Sequence, residues 1–416
     1  MSLTDHRLPL SETVAPADEA AVAAVLRKAG RAKTAVYPLG GGTNLAYGLR
    51  ASRQGIGLST ASLDDVLDYS AADLTITVGA GLTIGDLGRR LASQKQWLPI
   101  DVPQPERATI GGVVAANTLG PRRYAYGTIR DYLLGVRAVD GRGAVFAGGG
   151  RVVKNAAGYN IPRLLAGSLG TLGVITEVTL MVRPLPQCSA LVLCDAADFE
   201  TAECLLVALN RSRTFPVAVE LLAGRCRPGC PWGDMPGDAV ARLIVGFDGS
   251  EPEVEWMLHR LCDEWRAAGA RCLAGLRGDH AVTAWNWLAE AFGQVQINVL
   301  PSALVGVTEE LIGGLPGISL QAHAGNGAIR VELPSAASRA GRLAADPFAT
   351  LVRHRLRPVA ADAGGHLLVL AYPDDAELTA ADIWGPLCDG EAVMRRIRER
   401  FDPAGILNPG RFVFGT

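Results

Sequence analysis

Small apolar residues recur at helical spacing over residues 17–29 (Ala20, Val22, Ala23, Leu26) and stop at Gly30. This predicts a helix with Gly30 as its C-cap. Thr34–Leu39 reads as a strand that runs straight into Gly40-Gly41-Gly42-Thr43-Asn44, and Leu74–Val78 as another. Thr83–Leu91 reads as a helix with Thr83 as N-cap and Asp86 near its start. Residues 132–140 and 143–147 form a predicted hairpin around Asp140-Gly141-Arg142-Gly143, and Gly173–Val182 a further strand. At Arg183-Pro184-Leu185-Pro186 two prolines end regular pairing. Beyond this break, strands at 190–194, 216–222 and 240–247 and helices at 198–211 and 251–268 predict a second α+β unit. The Pro- and Gly-rich stretch 223–238 reads as an exposed loop. The last predicted helix, Glu391–Phe401, ends at Asp402-Pro403-Ala404-Gly405.

A chain of 416 residues with 49% hydrophobic content has room for two or three folding units. The net charge of −2 gives no broad basic surface for nucleic acid. Forty-nine glycines without a Gly-X-Y period point to tight turns and close backbone approaches. No apolar run reaches the roughly 20 residues that span a bilayer, and MSLTDHRLPLSE lacks a signal-peptide core. The expectation is a cytoplasmic protein that reaches the inner membrane only through partners. All eight cysteines lie at or beyond Cys188, and reduced thiols are expected. Cys226 and Cys230 lack a second ligand pair at metal-binding spacing, so a loop is read there and no metal is expected.

Three glycine-rich segments carry the candidate chemistry. In PLGGGTNLAYG, Pro38–Gly48, consecutive glycines follow a strand. Two readings are open: a plain turn, or a nest of backbone N–H groups suited to a pyrophosphate. A dinucleotide-type Gly-x-Gly-x-x-Gly turn is rejected, because no helical stripe follows. In TIGGVVAANTLGPRRYAYG, Thr109–Gly127, a short core helix precedes a surface loop, and Arg122 and Arg123 could meet anions. In RVVKNAAGYNIPRLLAGSLGTLGVIT, residues 151–176, Gly-Thr-Leu-Gly before an apolar strand brings backbone close to something flat or charged.

Taken together and in this order, the three segments resemble the FAD-binding domain of the vanillyl-alcohol oxidase (PCMH-type) superfamily. Gly-Pro-Arg-Arg, Gly-Thr-Ile-Arg-Asp-Tyr-Leu-Leu-Gly and Val-Lys-Asn-Ala-Ala-Gly-Tyr-Asn look most like the E-type FAD-binding subunits of bacterial glycolate oxidases. Asp402-Pro403 and Asn408-Pro409-Gly410-Arg411 resemble the closing segment of that family. The resemblance implies an α+β fold. A two-subdomain PCMH-type FAD-binding domain would occupy 1–185, a smaller α+β cap domain 186–390, and a segment returning to the flavin 391–416. It also implies that Pro38, Gly40, Gly41, Gly42, Thr43 and Asn44 cradle the pyrophosphate. Thr109, Gly111, Gly112, Asn117, Gly120 and Gly127 would lie along the isoalloxazine and ribityl side. Gly173 and Ile175 would meet the adenine end, and Asn408 would approach the flavin. Thr43 and Asn44 stand where covalent relatives often carry His, so the FAD is expected to be non-covalent.

The resemblance further implies oxidation of a small 2-hydroxy acid, with a second flavin subunit and an iron–sulfur subunit as partners. The chain departs from substrate-oxidising relatives at Val153, Ala157 and Asn160. His323-Ala-Gly-Asn-Gly-Ala-Ile-Arg330 also replaces a metal-binding His-x-Gly-Asp-Gly-Asn-x-His. His366, Arg330 and Lys154 are left as catalytic candidates, with Arg123 and Tyr159 as further polar groups. His323 reads as a structural histidine and His366 either as a base or as a turn residue. Three functions stay open: a glycolate oxidase FAD subunit, a self-sufficient 2-hydroxy-acid or alcohol oxidoreductase, and a flavin-binding assembly subunit.

Overall fold

The computed structural model describes residues 8–51, 53–150, 159–290, 292–334, 346–386 and 389–413. They form two compact units. A flanking unit takes the residues up to Leu119, Gly127–Leu185 and those from Thr379 onward; a central unit takes Gly120–Tyr126 and Pro186–Leu378. These units differ from the sequence-derived boundaries in two places. Residues 379–390 go with the flanking unit, where Trp384 packs 5.0 Å from Tyr47 and 5.3 Å from Phe412. Gly120–Tyr126 goes with the central unit, where Arg122 pairs with Asp248 at 3.2 Å and lies 3.7 Å over the Trp285 ring. Arg122 is therefore committed to an ion pair and an aromatic face, which corrects its reading as an available anion contact.

In the flanking unit, Leu10–Val14, Gly55–Ser59 and Ala35–Leu39 make a parallel three-stranded sheet in that order. The helix Glu19–Ala32 starts at Asp18, whose carboxylate accepts from Ala21 N at 2.7 Å. Its apolar stripe buries Val22 and Leu26 against Val36, Leu58 and Leu407. The helix runs past Gly30 and is capped by Lys33, in the left-handed region at φ 53°. Gly30 has a different use: a Cβ there would stand 3.3 Å from the Gly141 carbonyl oxygen, so the glycine allows a close approach.

The chain's end joins this sheet. Val36 N donates to Ile406 O at 2.8 Å, and Asn408 N donates to Val36 O at 2.8 Å. Buried Asp402 secures the segment by accepting from Ile406 N at 3.1 Å and Leu407 N at 2.7 Å.

A five-stranded antiparallel sheet completes the flanking unit, ordered Val66–Ser70, Thr75–Gly79, Val174–Met181, Leu133–Val139, Val145–Gly149. Its apolar face (Ile76, Val78, Val136, Val178, Leu180) shares a core with Leu87 and Leu91 of the helix Ile84–Ala92. That helix begins at Thr83, whose Oγ1 accepts from Asp86 N at 3.1 Å. Thr83→Ala should cost about 1 kcal/mol of stability, read as a lower urea midpoint. An unchanged midpoint would show that water replaces the cap without loss.

The central unit is built on one eight-stranded antiparallel sheet. Its order is Arg271–Leu276, Cys188–Ala196, Ala241–Gly249, Ala218–Gly224, Ser319–His323, Ala328–Glu332, Val295–Asn298, His366–Val369. The expected helices are Phe199–Arg211 and Glu251–Ala267, joined where the buried Trp265 indole donates to Leu205 O at 3.1 Å. Trp285, on the helix Gly278–Ala289, packs flat on Gly246, where any side chain would overlap it. Buried Arg242 and Asp195 on neighbouring strands form a 2.5 Å ion pair. The stretch read as an exposed loop is not exposed throughout: Arg227 tucks its guanidinium 3.8 Å from the Trp287 ring centroid. No helix among the described residues is long and apolar enough to cross a membrane.

Candidate cofactor site

A cleft opens in the flanking unit. Its first wall is the turn that leaves the strand Ala35–Leu39: Pro38 and Gly40 through Asn44 all line it. The glycines are dictated by crossing backbone. A side chain on Gly41 would overlap the Arg107 carbonyl, and one on Gly40 would overlap Thr109 Oγ1. Gly42 sits at φ +72°, which favours glycine. Among the described residues, no protein acceptor takes the N–H groups of Gly40, Gly41, Gly42, Thr43 or Asn44. Five successive unbonded donors at a cleft mouth form a nest for anionic oxygens.

The second wall is the helix Ile110–Ala116, with Thr109, Gly111 and Gly112 facing the cleft. The first amides of this helix are already used. Ile110 N donates to Leu82 O at 2.9 Å, Gly111 N to Ala80 O at 2.8 Å, and Gly112 N to Thr109 Oγ1 at 3.4 Å. A Cβ on Gly111 would stand 2.7 Å from the Ala80 Cβ. This wall therefore supplies shape and close approach, and the Gly40–Asn44 turn supplies the free donors. Gly173 and Ile175 make a third wall at the start of the strand Val174–Met181.

Asn408 closes the cleft from the chain's end, at φ 45°, with its Nδ2 donating to Leu169 O at 2.6 Å. Arg411 Nη2 donates to Leu45 O at 2.6 Å and Tyr47 O at 2.7 Å, so it fixes the loop after the glycine turn.

Twelve of the fifteen residues proposed from sequence thus meet at one cleft, and three do not. Asn117 caps the far end of the helix Ile110–Ala116 in the left-handed region at φ 47°. Gly120 lies in the segment that belongs to the central unit. Gly127, at φ +79°, packs on the Asp131 carboxylate and serves the turn into the Thr128 cap. Sequence reading missed Thr60, Leu169, Gly170 and Arg411, which also line the cleft. Thr60 was findable: it ends the strand Gly55–Ser59, a parallel neighbour of Ala35–Leu39, and ligands gather at the carboxyl ends of parallel strands.

The catalytic candidates fall elsewhere. Lys154, with Val153 and Ala157, lies outside the described residues. Tyr159 is 92% exposed, and Asn160 caps the short helix Ile161–Leu165 by accepting from Arg163 N at 3.0 Å. Arg330 and His366 lie on strands of the central sheet. His366 is exposed, with its Nε2 3.2 Å from Asn298 Nδ2. Beside them the structure reveals a buried polar group that the sequence did not flag. His323 Nδ1 lies 2.7 Å from Glu220 Oε1, and Gln321 Nε2 donates to Glu220 Oε2 at 2.9 Å. Glu220 stands opposite His323 in strand register, a pairing that needs the sheet order before it can be read. Facing the carboxylate, Nδ1 is the nitrogen that carries a proton. Among the described residues, Nε2 has no partner.

Comparison with known proteins bears on the same segments. The family described as FAD binding domain matches residues 11–149, and the one described as FAD linked oxidases, C-terminal domain, matches residues 388–412. The chain is 34% identical over 245 residues to a D-lactate dehydrogenase of Archaeoglobus fulgidus, covering 57% of this chain and 55% of that protein. It is 26% identical over 418 residues to a D-2-hydroxyglutarate dehydrogenase of Xanthomonas citri, covering 94% of this chain and 86% of the relative. A stretch of 125 residues is 42% identical to the glycolate oxidase subunit GlcE of Escherichia coli, covering 30% of this chain and 36% of that protein. The match thus spans about half the length of the lactate dehydrogenase and about a third of the glycolate oxidase subunit. A solved alkyldihydroxyacetonephosphate synthase shares the fold, with a TM-score of 0.68 at 19% identity, over 95% of this chain and 76% of that one. The glycine cleft and these matches converge: the chain carries a PCMH-type FAD-binding domain and a closing FAD-linked-oxidase segment, and its cofactor is FAD.

Proposed function

We propose that this chain is an FAD-dependent oxidoreductase of 2-hydroxy acids that works as the E-type FAD subunit of a glycolate oxidase complex. The observation that carries the reading is the glycine-built cleft, whose first and second walls fall within the matched FAD binding domain. The 42% identity to a glycolate oxidase subunit points to the particular complex. FAD, when bound, would supply the acceptor for a hydride, which carries both electrons of the oxidation. The Gly40–Asn44 amides hold its pyrophosphate, and Thr109–Gly112 and Gly173–Ile175 shape the walls around it. Among the described residues no His or Cys lines the cleft, which is in keeping with non-covalent binding. Among the described residues no group of three potential metal ligands occurs, and the cysteines have no cluster-binding spacing. Electrons would leave through a partner or a diffusible acceptor; the partners proposed are a second flavin subunit and an iron–sulfur subunit, on the cytoplasmic side of the inner membrane.

A second reading has its own support. The match to D-2-hydroxyglutarate dehydrogenase runs over almost the whole chain, and the Glu220-oriented His323 has the form of a general base. In a self-sufficient dehydrogenase, Arg330 would hold the substrate carboxylate, and His323 Nε2 or His366 would take the hydroxyl proton. One experiment separates the two. The chain is purified alone and with co-expressed partners, and its flavin absorbance is followed anaerobically with glycolate, D-lactate or D-2-hydroxyglutarate. The expected result is acid-releasable FAD that glycolate bleaches only with the partners present. Rapid bleaching of the lone chain by D-lactate or D-2-hydroxyglutarate would replace the complex by the self-sufficient enzyme. A chain that stays colourless with added FAD would overturn both.

A further inference from the structure

The central unit holds a second, small indentation, walled by the 224–235 stretch, the end of the helix Gly278–Ala289 and the strand Ser319–His323. Arg227 is its principal group. The guanidinium lies 3.8 Å from the Trp287 centroid and 5.0 Å from that of Phe292, and Nη2 donates to the Trp287 carbonyl. Its Nη1 is buried and, among the described residues, has no acceptor. Two more buried donors of lining residues are in the same condition: Trp232 Nε1, in the 224–235 stretch, and Ser319 Oγ, on the strand Ser319–His323. Among the described residues no carboxylate bonds the Arg227 charge. Glu290 and Glu332 attract it only through space, and Glu332 is turned to Arg225 at 3.9 Å. Arg242 on the same wall is neutralised by Asp195. The two thiols supply no counter-charge: burial pushes the Cys226 thiol up to about 12, and Cys230 Sγ donates to Gly233 O at 3.3 Å. The environment registers the missing anion, since burial draws the Arg227 guanidinium down to about 10.

We propose that this indentation is a binding site for a small carboxylate or oxyanion, held by Arg227 Nη1, Trp232 Nε1 and Ser319 Oγ. A cation, an indole N–H and a hydroxyl belong to residues that line one indentation, and each is a buried donor with no acceptor among the described residues. Water can satisfy the indole and the hydroxyl, but only an anion also neutralises the guanidinium. The flat guanidinium held against an indole face is pre-organised for a planar carboxylate. The site belongs to the central unit alone and shares no lining residue with the flavin cleft.

The test is calorimetric titration of the full flavin-loaded chain with acetate, oxalate, phosphate and sulfate at constant ionic strength, with chloride as control. Melting temperature is read in parallel. Saturable binding of at least one of the four anions and a raised melting temperature are expected. Arg227→Gln should weaken binding at least about 10-fold, and Trp232→Phe and Ser319→Ala about 3- to 10-fold each. Arg266→Gln, which removes an exposed charge on the helix Glu251–Ala267 and is no lining residue, should leave it unchanged. Should Arg227→Gln fail to fold, Trp232→Phe and Ser319→Ala decide, because each removes one donor without changing charge. Three outcomes would overturn the site: no saturable heat with any of the four anions, a chloride response equal to theirs, or wild-type affinity in the folded donor variants.

Discussion

Gly41→Ala is expected to yield a protein that loses its FAD during purification. The new methyl group would overlap the Arg107 carbonyl, which is backbone and cannot swing aside. Either the Gly40–Asn44 turn or the 104–109 segment must then move, and Thr109 on the second wall moves with the latter. Overpacking of this kind costs about 1–3 kcal/mol or more in stability. The larger effect falls on the ligand. Each charge-assisted hydrogen bond to a phosphate is worth roughly 1.5–3 kcal/mol, and displacing two such donors weakens FAD by roughly 10²- to 10⁴-fold. The measurement is the flavin-to-protein ratio after purification, followed by titration of the apoprotein with FAD. Gly88→Ala is the matched control: it lies in the helix Ile84–Ala92, and a Cβ there meets nothing within 4 Å. That variant should stay yellow and be more stable by up to about 1 kcal/mol. A Gly41→Ala protein with wild-type FAD affinity would mean that the turn does not carry the pyrophosphate.

Asp402→Ala should destabilise the flanking unit by about 2–6 kcal/mol, because it strands the buried N–H groups of Ile406 and Leu407 at about 1–3 kcal/mol each. That is a large part of the roughly 5–15 kcal/mol that holds a protein of ordinary stability. Flavin retention should fall as well, since Asn408 sits one residue beyond the anchored pair. The pH dependence has a definite sign. Burial raises the Asp402 carboxyl above the ordinary aspartate range, against the opposing pull of the Leu407 and Ile406 amides and Arg398. The folded chain therefore holds the proton more tightly than the unfolded one. The stabilising contribution of that proton is complete below the ordinary aspartate value and is lost as pH rises through the folded value. Asp402→Asn has no such titration. The stability difference, wild type minus Asp402→Asn, should fall as pH is raised through that window in urea unfolding. A flat difference would show that the carboxyl keeps its ordinary affinity for protons.

The sequence made the local grammar plain. The strand Ala35–Leu39, the Thr83 cap, the hairpin at Asp140–Gly143 and the helix Ile110–Ala116 are all set by neighbours close in the chain. The glycine segments were legible as one site because each contributes through backbone. Gly30 was misread, because its purpose is set by Gly141, more than a hundred residues away. Gly127 was misread for a different reason: a glycine required by a turn looks the same in sequence as one required by a ligand. Arg122 looked free until Asp248 and Trp285 were placed beside it. Glu220 gave no signal at all, because only strand register puts it against His323. Arg227 was hidden inside a stretch whose composition says loop.

The bridge between Val36 and Leu407 sets the order of events during synthesis. Val36 leaves the ribosome about 370 residues before its partner, a delay of roughly 20–70 s at ordinary elongation rates. Through that interval the edge of the strand Ala35–Leu39 presents unpaired peptide groups beside an unfinished cofactor cleft, and the whole central unit is made in between. The nascent flanking unit is therefore expected to need protection over that interval, and FAD to bind only once Asn408 and Arg411 have emerged. Ribosome-bound chains stalled short of residue 402 should recruit chaperone and hold no flavin.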